Sequence, residues 1–220
     1  MSAAAARDVV LARVRAALAP GPGSVAAAPV AIPRTYRQAG RSSDPAQVVE
    51  CFCERVAEYR AQVHRVVGAA DLEALVAELL AQRRVVVPAA PPCAVRGFAA
   101  VPDDPPLTPR ELDGADAVLT GCALAVAQTG TIVLDGSAPC GRRAITLVPD
   151  HHVCVVRAEQ IVAAVPDAIA ALERIEATRR PITLVSGPSA TSDIELERVE
   201  GVHGPRLLDV VVVSAEAADR

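Results

Sequence analysis

Hydroxyls, an imidazole and arginines gather in a few glycine-bearing stretches of this 220-residue chain. The longest runs from Ser186 to Pro205. It follows an apolar segment, Pro181 to Val185, in which Ile182, Leu184 and Val185 suit a buried strand. Gly187 and Pro188 then force a sharp exit, since Gly accepts backbone angles closed to other residues and Pro fixes one. Ser186, Ser189, Thr191 and Ser192 place hydroxyls at and just past the strand end. Ser192 to Glu195 has capping-box spacing, which predicts a short helix ending before Gly201. A strand end, a hydroxyl-rich turn and a helix N-terminus form an anion pocket when their N–H groups converge. A capped surface turn has the same spacing, so spacing alone leaves both readings open.

Three further groups could complete such a pocket. Thr129-Gly130-Thr131 lies between two apolar segments, and Gly130 would let the backbone approach a ligand closely. Arg142 and Arg143 follow a loop of Gly, Ser and Pro; one of them turned inward would bind a carboxylate or phosphate in bidentate fashion. Arg142 is the candidate, although sequence does not say which of the two faces in. His203, between Val202 and Gly204 and followed by Pro205, sits on a constrained backbone suited to hydrogen bonding or acid–base work. Asp193 is its candidate partner. His151 and His152 begin a strand, so they point to opposite faces and cannot chelate one ion together. No metal site is expected.

The elements that position these residues read as an α/β chain. Residues 3–18 form a helix with Val10, Leu11, Val14 and Leu18 on one face, followed by a Pro- and Gly-bearing connector to residue 45. Asp44-Pro45 is a helix start, and Val49, Phe52, Val56, Tyr59 and Val63 recur at three and four, which predicts one helix to about Val66. A second helix carries Leu72 to Leu80, and Arg84 to Val87 leads into the first strand. Pro88 to Pro109 is proline-rich and allows one short strand near Val95 to Ala99; Thr108 caps a short helix. Strands are expected at Ala123–Ala127, Ile132–Leu134, Ala144–Val148, Val153–Val156, Ile182–Val185 and Leu207–Val213, with helix from Ala158 to Arg179 interrupted at Pro166. The expected architecture is an open, mainly parallel, Rossmann-like sheet flanked by helices, with residues 1–45 as an N-terminal helical extension and 46–220 as the α/β domain. Ligand is expected outside the carboxyl ends of the strands.

Composition removes whole classes of function. The net charge is −4, with no Trp, two Phe and two Tyr, which denies nucleic acid both a basic footprint and a stacking platform. No apolar run reaches the roughly 20 residues of a spanning helix, and the first 18 residues are interrupted by charge, so a cytoplasmic protein is expected. Six cysteines occur without a CxxC pair, so they read as reduced, mostly buried small hydrophobes. Neither GxGxxG nor GxxxxGK[ST] appears, and no cofactor is expected.

Ala127-Gln-Thr-Gly-Thr-Ile-Val-Leu134, Ser186-Gly-Pro-Ser-Ala-Thr-Ser-Asp-Ile-Glu195 and Gly201-Val-His-Gly-Pro205 together resemble the lactate-utilization protein C family, the LUD-domain proteins. Ile32-Pro-Arg-Thr-Tyr-Arg37 and the helix ending near Tyr59 are similar to that family too, so the likeness covers most of the chain. It implies the α/β fold of ribose-phosphate isomerases, glucosamine-phosphate deaminases and CoA transferases. It also implies work alongside two iron–sulfur proteins that oxidise L-lactate to pyruvate in the bacterial cytoplasm, with the partners carrying the electrons. One departure is Gln128, where related sequences often have a carboxylate; a CoA-transferase-like mechanism would want a Glu nucleophile.

Three functions remain in play from sequence. The first is a non-redox subunit of a lactate-oxidising system that binds a small carboxylate, another anion or a partner through the Thr129–Thr131 and Ser186–Asp193 loops. The second is a stand-alone isomerase or acyl- or phosphoryl-handling enzyme using His203 and Asp193. The third is an assembly protein without a small-molecule site. Oligomeric state is open in all three.

Overall fold

The computed structural model describes residues 3–19, 44–175, 177–191, 199–201 and 203–215. The chain divides into two units, Met1–Arg37 and Gln38–Arg220. In the first, helix α1 spans Ala3–Leu18, as its apolar periodicity predicts.

The second unit begins at α2, Pro45–Glu58. Its start follows from sequence: Asp44 Oδ1 accepts a hydrogen bond from Ala46 N at 2.9 Å, and Pro45 loses nothing in the first turn. Then come β1 (Gln62–Val67), α3 (Gly68–Leu79), β2 (Arg84–Val87), β3 (Ala99–Pro102), α4 (Pro109–Asp113) and β4 (Ala117–Thr120). The middle carries β5 (Leu124–Val126), β6 (Thr131–Leu134), β7 (His151–Arg157), β8 (Ile161–Val162) and α5 (Val165–Arg174). The last elements are β9 (Thr183–Val185), β10 (Ala190–Thr191), β11 (Val199–Glu200) and β12 (Leu207–Ser214).

Among the described residues the central sheet has the order β1-β12-β7-β4-β2-β3, every neighbouring pair parallel. Both of its faces are covered, which is why β4, β7 and β12 read as nearly continuous apolar runs. Helix α3 covers one face, packing Leu72, Val76 and Leu80 over Val85, Leu119, Val155 and Val211. Helix α2 belongs to the opposite layer, where Phe52 and Val56 join Cys154, Val210 and Val212 from the central sheet and Ala125 and Ile132 from a second, mixed sheet. That second sheet runs β8-β5-β6-β9, and α5 closes its far side with Ala168 and Leu172. Each buried Leu, Val or Phe contributes about 1.5–3 kcal/mol relative to exposure.

Several expectations need correction. The helix begun at Pro45 ends at Glu58, not near Val66. Tyr59 caps it, Arg60 turns with φ 68, and Gln62–Val67 becomes the edge strand β1, paired with the valines of β12. Arg84–Val87 is therefore the second strand, and Gly68 opens α3 rather than ending a helix. Ala144–Val148 is not a strand: Arg143–Thr146 makes a 3₁₀ turn that drives Ile145 among Val86, Leu112 and Val118. The strand expected near Val95–Ala99 lies at Ala99–Pro102. Thr183–Val185 is an edge strand with Leu184 66 % exposed, not a buried one. No helix among the described residues is long and apolar enough to cross a membrane.

Candidate functional site

The two motif turns meet. Thr131, at the start of β6, shares a 2.8 Å hydrogen bond through Oγ1 with Ser186 Oγ, just past the end of β9. β6 and β9 are antiparallel neighbours, with Ile132 opposite Val185, and this register sets the two hydroxyls side by side. Thr129 Oγ1 lies 2.8 Å from Thr131 Oγ1, so the three hydroxyls form a short chain.

What fills the space at the glycines is protein. A Cβ on Gly130, whose φ is +58, would lie 2.7 Å from Arg55 C and Val56 N of α2. A Cβ on Gly187, with φ +87, would lie 2.6 Å from Tyr59 Cβ. The close backbone approach expected for Gly130 is thus to the end of α2. Both bends are seated on the same helix.

Beyond Ser186 the chain is stitched to the segment around His203. Ser189 N donates to Pro205 O at 2.8 Å, Gly201 N donates to Ser189 O at 2.8 Å, and His203 N donates to Ser189 Oγ at 3.0 Å. Ala190–Thr191 pairs antiparallel with Val199–Glu200, so those last two residues are strand where a helix was expected. The two crossing segments wall a cavity of about 220 Å³. Ser186, Gly187, Pro188, Ser189, His203 and Gly204 all line it. Thr129, Gly130 and Thr131 stand behind Ser186 rather than in the wall. Thr191 is placed by its backbone pairing alone; Ser192, Asp193 and the capping box to Glu195 lie outside the described residues.

The groove also contains His152, Thr146, Leu208 and Arg143. His152 and Leu208 are the second residues of β7 and β12, so the groove opens beside the amino ends of these central strands. The motif turns therefore meet beside the amino ends of the central strands, not at the carboxyl ends where the sequence led us to expect them. A separate cavity of about 220 Å³ at the carboxyl ends, by Gly68, Arg157 and Ser214, contains none of the motif residues.

The arginine pair divides its work. Arg142 donates through Nε and NH2 to Asp103 at 2.7 Å and to Leu107 O at 2.6 Å, a bidentate clamp on the proline-rich segment. Burial works against the charge on Asp103, but the hydrogen bonds donated to it by Arg142 and by Leu107 N outweigh that and hold the carboxyl below its usual value. Arg143 lines the groove, held by NH1 bonds to Thr146 O at 2.8 Å and Thr146 Oγ1 at 3.0 Å. Among the described residues the ion pairs include Arg142–Asp103, Arg180–Asp135 and Arg206–Asp150, but none for Arg143. The residue remains open to solvent, yet its guanidinium is partly desolvated, which lowers its pKa from the usual arginine value. A cation in that condition is a ready partner for an anion.

The neighbouring histidines diverge, as alternation predicts. His152 Nε2 lies 2.8 Å from Thr120 Oγ1 on the groove side. His151 faces the α3 layer, in a network that sequence reasoning missed. Arg83 NH1 lies 2.6 Å from His151 Nδ1; because Arg only donates, Nδ1 accepts and Nε2–H donates to Asp209 Oδ2 at 2.6 Å. His64 Nε2 takes the other oxygen, Oδ1, at 2.6 Å. The signal for it was Asp209 itself, an acid inside the apolar strand Leu207–Val213 that demanded buried partners.

Comparison with known proteins agrees with this architecture. The LUD domain family model matches residues 106–213. The chain is 50% identical over 171 residues to lactate utilization protein C of Deinococcus radiodurans, covering 76% of this chain and 80% of that one. Lactate utilization protein C of Geobacillus kaustophilus is 32% identical over 118 residues, a match covering 50% of this chain and 49% of the relative. The crystal structure of a DUF162 family protein from Deinococcus radiodurans superposes with a TM-score of 0.67 at 44% identity, covering 77% of this chain and 98% of that one. With that breadth of identity across a shared fold, the chain belongs to the LUD-domain family of lactate utilization protein C.

Proposed function

We propose that this protein is a non-redox subunit of a bacterial L-lactate utilization system and binds a small carboxylate in the groove between Ser186–Ser189 and His203–Gly204. The observation that carries the reading is Arg143, a groove-lining cation with no carboxylate partner among the described residues, while nearby arginines are held by aspartates. The Ser189 hydroxyl, which accepts from His203 N and keeps its own proton to donate, and the His203 side chain supply further polar groups around it. The names of the relatives supply the pathway. Electron transfer falls to iron–sulfur partner proteins in the cytoplasm, and this chain offers the acid-binding groove or the surface on which the partners assemble.

Growth on L-lactate tests the reading. His203 is exposed, so His203→Ala keeps the fold, and in a strain lacking the native gene it fails to restore growth that the wild-type chain restores. Normal growth of that strain on L-lactate removes His203 from the function.

A further inference from the structure

Resting on that reading, we propose that the groove is built for a monocarboxylate longer than lactate, with its carboxylate on Arg143 and an apolar chain running into an adjoining hollow. A second cavity of about 220 Å³ shares Arg143, Thr146 and Thr183 with the first, so the two adjoin across these side chains, with the arginine between them. Each cavity alone falls short of the roughly 300–1,000 Å³ typical of ligand pockets, and the pair falls within it.

The second cavity differs in chemistry. Leu134, Pro181 and the glycines Gly136 and Gly141 contribute to its wall. Arg142 also borders it, but its fork is closed on Asp103 and Leu107 O. Arg180, next to Pro181, is held by Asp135. The cations at that end are therefore neutralised, and the hollow welcomes carbon rather than a second carboxylate. A dicarboxylate would have to bury a charge there unpaired. Arg143 becomes the residue that fixes head-group position, and the hollow beyond it becomes the determinant of chain length.

Titration calorimetry on the full chain tests this with L-lactate, 2-hydroxybutyrate, 2-hydroxyhexanoate and malate. The proposal expects the dissociation constant to fall about threefold to fourfold for each methylene buried, with malate no tighter than lactate. Pro181→Trp, which narrows only the second hollow, should erase the gain with chain length and leave lactate affinity unchanged. Arg143→Gln should weaken every acid in the series at least tenfold. Equal affinities for all the monocarboxylates, or malate as the tightest ligand, overturn the chain-length proposal while leaving the carboxylate site standing. Binding of no acid, or binding unchanged in Arg143→Gln, overturns both.

Discussion

Thr131 and Ser186, 55 residues apart in sequence, share a 2.8 Å hydrogen bond that joins the two motif turns. The bond is made by neighbouring strands of the second sheet, and the groove lies on the Ser186 side of it. Thr131→Val keeps the shape and removes the hydroxyl, leaving Ser186 to water. We expect a loss of about 1 kcal/mol in urea unfolding, and a double-mutant cycle with Ser186→Ala should show that the two losses do not add. Strict additivity would mean that the turns are not coupled.

The glycines of these turns are predicted to be unequal in cost. Gly130→Ala must accept a left-handed φ of +58 and a Cβ 2.7 Å from the α2 backbone. Gly136→Ala has a φ of +70 but nothing within 4 Å of the new methyl. The second change should cost about 1–2 kcal/mol, the backbone contribution alone, whereas the first adds about 1–3 kcal/mol of overpacking. Thermal melts followed by circular dichroism rank them; equal melting temperatures would contradict the seating on α2.

Acid sensitivity follows from three buried carboxylates. Burial opposes ionisation of Asp103, Asp135 and Asp209, yet hydrogen bonds from Arg142, from Ser137 and Arg180, and from His151 and His64 leave each below its usual value. A group depressed on folding stabilises the protein above its unfolded pKa, about 4 for Asp, and that contribution is lost as pH falls through the folded value. Stability should therefore decline below about pH 4, and Asp209→Asn should decline less steeply because one proton fewer is taken up. Urea midpoints between pH 6 and pH 2 measure it. Parallel slopes for the two proteins would sink the assignment to Asp209.

Much of this arrangement is readable from residue types. Asp44-Pro45 starts α2, Thr108 and Glu111 form a capping box, and the valine runs mark the parallel core strands. Opposite facing of His151 and His152 follows from strand alternation. What failed are features decided at long range. Val63 keeps helical spacing from Val56 and Tyr59, but pairing with Val210 makes it strand. Arg142 is taken from the groove by Asp103, 39 residues away, and no local pattern announces that pair. Leu184 has the composition of a buried strand but lies on the outermost strand of the small sheet, so composition overstates its burial.

That last difference gives a mutational contrast. Leu119 is fully buried in the central sheet, and Leu119→Ala should cost about 2–5 kcal/mol. Leu184→Ala, at a 66 % exposed position, should stay within about 0.5 kcal/mol of wild type. Chemical denaturation of both variants checks the placement of the strand. A large loss at Leu184 would show that this face is covered in solution.

The most direct measurement for the groove is a crystal structure of the protein soaked with pyruvate. Density for the acid is expected between Ser189 and His203, its carboxylate within hydrogen-bonding distance of the Arg143 guanidinium. Density at the carboxyl ends of the central strands beside Gly68 and Arg157, with the Arg143 groove empty, would contradict this placement.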